Sequence, residues 1–488
     1  MVDRMPAVRS VDVPAWDREA EVVIVGQGIA GSCAALEAHR AGADVLIVER
    51  ASGGGGASAL STGIFYLGGG TPVQQAAGYA DDADQMHRFL MASCDPLNPR
   101  AVETYCTDSV AHFEWLEAQG VPFERSYVAS KIVFPLDTTC LSWSGNEKTW
   151  PYCEAARPAP RGHKVAAAGP NGGQEAMKHL LQHCADAAIP AIYDSAVIAL
   201  VQDEDGRVTG VRVKQAGAIL HIGARKGVIL ACGSHNLAQD MLAEYLPLLS
   251  ETSDPLGIPS NDGAGVRLGL SAGAVAVAMD GVIPTASIYP PDQLVKGIII
   301  NARGERFVAE DAYHGRVGNF VMEQPGQKAY LIVDSEIFAY PESQTAHHAL
   351  IDGWESVAEM EAALELPPGS LARTLDRYNA DAVQGEDRHL HKATEWLKPL
   401  DQGPWAAFDI SFDKSVYRFI TLGGIRTGID GEALDAYANP IAGLYAVGAS
   451  AAHIPRSGKS YASGLSLGPG SYFGRRAGRH ASGAAWPG

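Results

Sequence analysis

The sequence has no long apolar run. No stretch approaches the roughly 18–20 residues a membrane-spanning helix needs, and charges are scattered through the first 20 positions, where a secretory signal would be apolar. A cytoplasmic protein without a transmembrane segment is the expectation. Cysteine is sparse: Cys33, Cys94, Cys106, Cys140, Cys153, Cys184 and Cys232 include no CxxC pair. A disulfide framework and a zinc ribbon are thereby excluded, and the thiols read as reduced and mostly buried. Neither an iron–sulfur nor a haem-attachment pattern occurs. Basic runs are missing too: 38 Lys and Arg face 56 Asp and Glu, for a net charge of −18, which excludes nucleic acid as a partner because phosphate neutralisation needs clustered cations. What is present is 46% apolar residues, 54 Gly and 28 Pro in 488 positions. That is the composition of a globular α/β protein with many tight turns and more than one core.

Glu21-Val-Val-Ile-Val25 is a short apolar run without alternation, as in a strand buried on both faces. It leads into Gly26-x-Gly28-x-x-Gly31 and an Ala-rich stretch of good helix formers closed by Gly42. Ala43-Asp-Val-Leu-Ile-Val-Glu49 is then a second buried strand. This βαβ unit matches the dinucleotide-binding fingerprint: the glycines admit a pyrophosphate to the helix N-terminus, and Glu49, about 20 residues on, accepts from the ribose hydroxyls. Helical spacing between Asp81 and Glu117 predicts two cap helices, and Tyr127–His163, aromatic and Pro-rich without periodicity, reads as an ordered surface excursion. A helix over 174–187, strands near 196–202, 208–214 and 228–231, and a turn at Asp205-Gly206 continue the α/β pattern. The pattern changes between about 281 and 409 and returns after 410.

FAD and NAD share the fingerprint, and further segments separate them. Gly55-Gly-Ala-Ser-Ala-Leu-Ser-Thr-Gly63, Leu230-Ala-Cys-Gly233, Asn261-Asp-Gly-Ala-Gly265 and Gly443-Leu-Tyr-Ala-Val-Gly448 occur in this order, and together the chain resembles the fumarate reductase and succinate dehydrogenase flavoprotein superfamily. The resemblance implies a Rossmann-type FAD-binding domain, discontinuous over 1–280 and 410–488, with an inserted α+β catalytic domain over 281–409. FAD contacts are expected from Gly26, Gly28, Ile29, Ala30, Gly31, Glu49, Arg50, Gly56, Ala57, Ser58, Ser61, Gly63, Val197, Ala231, Gly233, Asn261, Asp262, Gly263, Gly448, Ser466 and Leu467. Some members attach FAD to a His in the loop matching residues 53–63; this chain has none there, so the flavin is expected to be non-covalent.

Tyr417-Arg-Phe-Ile-Thr-Leu-Gly-Gly424 retains the Thr-x-Gly-Gly of the fumarate-reducing members but carries no His, and Arg306, Arg316 and Arg418 are the cationic candidates a dicarboxylate would need. Ser460-Tyr-Ala-Ser-Gly-Leu-Ser-Leu-Gly-Pro-Gly470, with Arg306-Phe-Val-Ala-Glu-Asp-Ala-Tyr-His314, resembles the 3-ketosteroid dehydrogenases instead. The resemblance is to the Δ4-(5α) branch more than the Δ1 branch, whose Tyr-Pro-Gly-Pro-Gly stands where this chain reads Tyr461-Ala-Ser-Gly-Leu. It implies Tyr461, Ser463 and Tyr313 as catalytic residues, a steroid or other cyclic ketone as substrate, and an external electron acceptor. Desaturation beside a ketone removes an α-proton while a hydride leaves the β-carbon for flavin N5, so a neutral phenol, Tyr461, suits the oxygen where charge develops. Ser463 is a poor base alone and needs Tyr313, with His314 or solvent, as a relay. The alternatives are a Δ1 or other cyclic-ketone desaturase, a fumarate or enone reductase, and a flavin-binding electron carrier. His347-His348 read as surface residues at a helix start; no metal site is expected. His453, Arg456 and Lys459 either line the flavin cleft or are solvated, and Phe134, Trp143, Tyr289 and Phe419 either wall a pocket or belong to the core.

Overall fold

The computed structural model describes residues 7–249, 251–285, 288–341 and 349–486. The expectation for His347-His348 lies outside them. Four strands run parallel at the centre: Ala218–Leu230 pairs with Arg18–Val25 and with Pro440–Ala446, and Val45–Val48 pairs with Arg18–Val25. On the far side of Ala218–Leu230 the strands Val208–Gln215 and Ser195–Gln202 add antiparallel, with Gly206 at φ +80° in their turn. Where they pair at the centre, Val22–Val25, Val45–Val48 and Val228–Leu230 are wholly aliphatic and buried, because both faces are covered.

The helix Ile29–Arg40 packs against the C-terminal helix Leu467–Ala481 unusually closely. A Cβ on Gly474 or Gly478 would strike the backbone of Ala30 or Ala34, so the Gly spacing of the second helix lets the two axes approach. Both helix N-termini therefore reach the same carboxyl edge of the sheet, where open α/β sheets bind their ligands.

A second apolar core, around Ile298–Asn301, Ala329–Asp334, Leu371, Tyr378 and Trp405–Asp409, surrounds a four-stranded antiparallel sheet. The segment that carries Tyr313 is staked to it by buried charge. Arg306 forks onto Glu310 and reaches Asp387, and Glu310 also accepts from the Ile299 amide. Such a cluster contributes little net stability, but truncating one member strands the others at a cost of about 3–5 kcal/mol.

Two expectations need correction. The cap comprises three helices, Ala83–Cys94, Pro99–Thr107 and Ser109–Ala118, because Asp108 at φ −90°, ψ 0° interrupts the second. Residues 127–163 are not a surface excursion: Cys140, Leu141, Ser142, Ser144, Asn146, Glu147, Arg161 and His163 are buried. Arg161, with no exposure, forms two hydrogen bonds to Asp81 at 2.8 and 3.0 Å. Buried polar pairing, rather than an apolar period, holds this segment inside.

Candidate active site

The predicted cofactor residues gather at the carboxyl edge of the parallel strands. Gly26 has φ +102°, and a Cβ there would collide with the Ala231 carbonyl; Gly448, at φ +58°, stands where a Cβ would lie 2.8 Å from Ala30 Cβ. Glu49 accepts from the Gln27 amide at 2.7 Å and the Ala51 amide at 2.8 Å, which points its carboxylate into the fingerprint turn. The Ile29 amide, at the helix N-terminus, donates to Ser58 Oγ at 3.1 Å, so a hydroxyl oxygen stands at the position an anion would favour. Gly56 packs near Gly28, Arg50 pairs with Asp262 at 2.8 Å, and Ser450 bonds the Gly233 carbonyl. Asn261–Gly263 leads into the helix Ala264–Ser271, and Ser466 precedes the helix that opens at Leu467. Val197 lies next to a bulge between strands, while Gly63 packs on Gly172 and Ser61 bonds the Ser58 carbonyl. A side-chain-free cradle, a helix N-terminus and a ribose-seeking carboxylate fit a dinucleotide.

The three predicted catalytic residues meet. Tyr313 Oη and Ser463 Oγ are 2.8 Å apart, and the Tyr313 and Tyr461 rings are centred 6.4 Å apart. A stretch that sequence reasoning missed sets this geometry: the Ser463 amide donates to the Ser144 carbonyl at 2.8 Å, and the Tyr313 amide to Asn146 Oδ1 at 2.9 Å. Tyr313 lines a cavity of about 290 Å³ with Lys131, Trp143, Glu147, Tyr289 and Asp311. Burial pushes the Glu147 carboxyl up and the Lys131 ammonium down to about 8, and Lys131 Nζ donates to the Asp311 carbonyl. Burial also raises Tyr313 well above the ordinary phenol value and Tyr461 to about 12, so both are neutral hydroxyls at pH 7.

His314 does not join the relay expected of it. Its Nδ1 faces the Tyr289 hydroxyl at 3.2 Å, and burial holds it down to about 3. His453 is half-buried, lines a cleft with Gly448 and Ser466, and reaches Ser466, whose hydroxyl is 2.8 Å from Tyr461 Oη. Arg456 and Lys459 pair with Asp95 and Glu323. Trp143 and Tyr289 wall the cavity, whereas Phe419 belongs to the second core. Of the dicarboxylate candidates, Arg306 is consumed by Glu310 and Asp387, Arg418 pairs with Asp254, and Arg316 bonds the Tyr152 hydroxyl.

The buried histidines carry a prediction for stability. Burial holds His163, His235 and His453 near 4 and His314 near 3, against 6.5 for the free side chain. Above pH 6.5 both folded and unfolded chains are neutral at these sites. Below it only the unfolded chain takes up protons, so stability is lost as pH falls from 6.5 toward 4, by ~1.4 kcal/mol per unit per group. Thermal unfolding of the holoenzyme across that window is expected to show a steadily falling Tm; a flat profile would refute the assignment.

The model of the FAD binding domain family matches residues 21–459. A 3-oxo-5-alpha-steroid 4-dehydrogenase of Comamonas testosteroni is 29% identical over 510 residues, covering 90% of this chain and 94% of that protein. The structure of a 3-ketosteroid-delta4-(5alpha)-dehydrogenase from Rhodococcus jostii RHA1, in complex with 4-androstene-3,17-dione, superposes with a TM-score of 0.92 at 38% identity, covering 98% of this chain and 99% of that one. A 3-ketosteroid delta1-dehydrogenase from Sterolibacterium denitrificans shares the fold at 21% identity and a TM-score of 0.72, over 96% of this chain and 100% of that one. The FAD expected from the glycine turn and the fumarate reductase-like architecture are thereby borne out, and no helix among the described residues is long and apolar enough to cross a membrane. This chain belongs to the FAD binding domain family, as an FAD-dependent oxidoreductase in the group that includes the 3-ketosteroid Δ4-(5α)-dehydrogenases.

Proposed function

We propose that the protein introduces the C4–C5 double bond into 3-keto-5α-steroids. The observation that carries this is the 2.8 Å hydrogen bond between Tyr313 and Ser463 beside a neutral Tyr461: a proton acceptor next to a phenol donor, with its relay, Tyr313, at the wall of a cavity. FAD, held non-covalently by the glycine turn, Glu49, Ser58, Gly448 and the backbone at Ser466 and Leu467, supplies the two-electron oxidant.

The chain's own residues handle the proton. Tyr461 donates to the ketone oxygen, where negative charge accumulates as the α-proton departs. Ser463 Oγ takes that proton as its own passes to Tyr313, whose phenol releases one in turn to the cavity lined by Glu147 and Lys131. An external electron acceptor and a cytoplasmic setting complete the proposal.

An anaerobic absorbance titration with 5α-androstane-3,17-dione, its 5β epimer and 4-androstene-3,17-dione tests it. Bleaching of the flavin band at about 450 nm is expected with the 5α compound alone, with a 4-ene product by mass spectrometry. Bleaching by the 4-ene compound would make the enzyme a Δ1 desaturase, and none with any of the three would remove ketosteroids from consideration.

A further inference from the structure

Tyr461, Ser466 and His453 form a chain of three hydroxyl and imidazole groups whose proton positions follow from chemistry. His453 Nδ1 is 3.1 Å from the Leu422 carbonyl, which can only accept, so Nδ1 carries the proton. Burial holds the ring neutral at pH 7, which leaves Nε2 a bare acceptor. Ser466 Oγ lies 3.3 Å from that nitrogen, and its single proton is drawn there. The Tyr461 hydroxyl, 2.8 Å from Ser466 Oγ, then donates to Ser466. Without substrate the phenol proton points back along the chain, away from the place a ketone oxygen would occupy.

A ketone receives that proton only if the chain reverses. Tyr461 must turn its O–H outward, Ser466 must turn its O–H onto the Tyr461 oxygen, and His453 Nε2 loses its donor. We propose that His453 is a positioning residue which, through Ser466, sets the direction of the hydrogen bonds ending on Tyr461 and so limits how strongly Tyr461 donates to the ketone. This rests on the reading of Tyr461 as the ketone's donor. Removing the acceptor at 453, or the link at 466, frees the phenol proton; a merely structural role would give the opposite sign.

The test uses holoenzyme and the enone 4-androstene-3,17-dione, with Kd read from the perturbation of the flavin band. His453→Leu and Ser466→Ala are each expected to tighten enone binding about five-fold, the equivalent of one ordinary hydrogen bond. His453→Gln, whose amide oxygen accepts from Ser466, should return the affinity to that of the unaltered enzyme. Tyr461→Phe added to Ser466→Ala should erase the gain. Should His453→Leu fail to retain flavin, Ser466→Ala carries the test alone. Weaker or unchanged enone binding in flavin-loaded Ser466→Ala overturns the proposal. Failure of the underlying reading looks different: Tyr461→Phe by itself would then leave both enone affinity and turnover intact.

Discussion

Tyr461→Phe is expected to lower kcat/KM for a 5α-3-ketosteroid by ~10²–10³-fold, the loss measured when one donor is taken from an oxyanion site. The change removes one oxygen and leaves the ring in place. The only bond it deletes among the described residues is the one to Ser466, so the fold and the flavin content should survive. The size of the effect follows from burial: Tyr461 is 6% exposed, so water cannot substitute for the missing hydroxyl at the ketone. Steady-state turnover with a dye acceptor, alongside flavin absorbance, measures it. A loss under about three-fold would mean that another group polarises the ketone.

Ser463→Ala should be comparably severe in the chemical step, ~10²–10⁴-fold in the rate constant for flavin bleaching after rapid mixing. Enone affinity should stay within a factor of about two, since Ser463 acts on the α-carbon rather than on the ketone oxygen. Tyr313→Phe belongs to the same relay, so the double variant should be no slower than Ser463→Ala alone. Multiplied losses would show that the two hydroxyls serve separate steps, and the 2.8 Å contact between them would then be structural.

The nucleotide half of this site was legible because its determinants are local. Gly26, Gly28, Gly31 and Glu49 fall within one βαβ unit, whose spacing alone places a turn, a helix N-terminus and a carboxylate together. The proton-handling half is not of that kind. Tyr313 and Ser463 are 150 residues apart, and only a family resemblance put them on one page. Ser144, Asn146 and Glu147 were invisible: they lie in a segment with no apolar period, buried through polar pairing with backbone groups. His453 left two readings open from sequence, because a His beside Arg456 and Lys459 looks like part of a charged loop. Its ring contacts with the Leu422 carbonyl and Ser466, which no local pattern encodes, separate it from its ion-paired neighbours.

The stays at Ser144 and Asn146 bear on how the enzyme matures. Ser463 and Tyr313 are each held at the backbone amide by this third segment, and the Tyr313 contacts close loops of 150 and 167 residues. Loop closure of that length is among the slower, later events of folding, well behind the local βαβ unit that forms the glycine turn. The glycine turn, Glu49 and Ser58 that cradle the nucleotide make their bonds without residues 144–146. Flavin colour and catalytic competence thus rest on different parts of the chain, and the second draws on a strip of polar groups that does no chemistry itself.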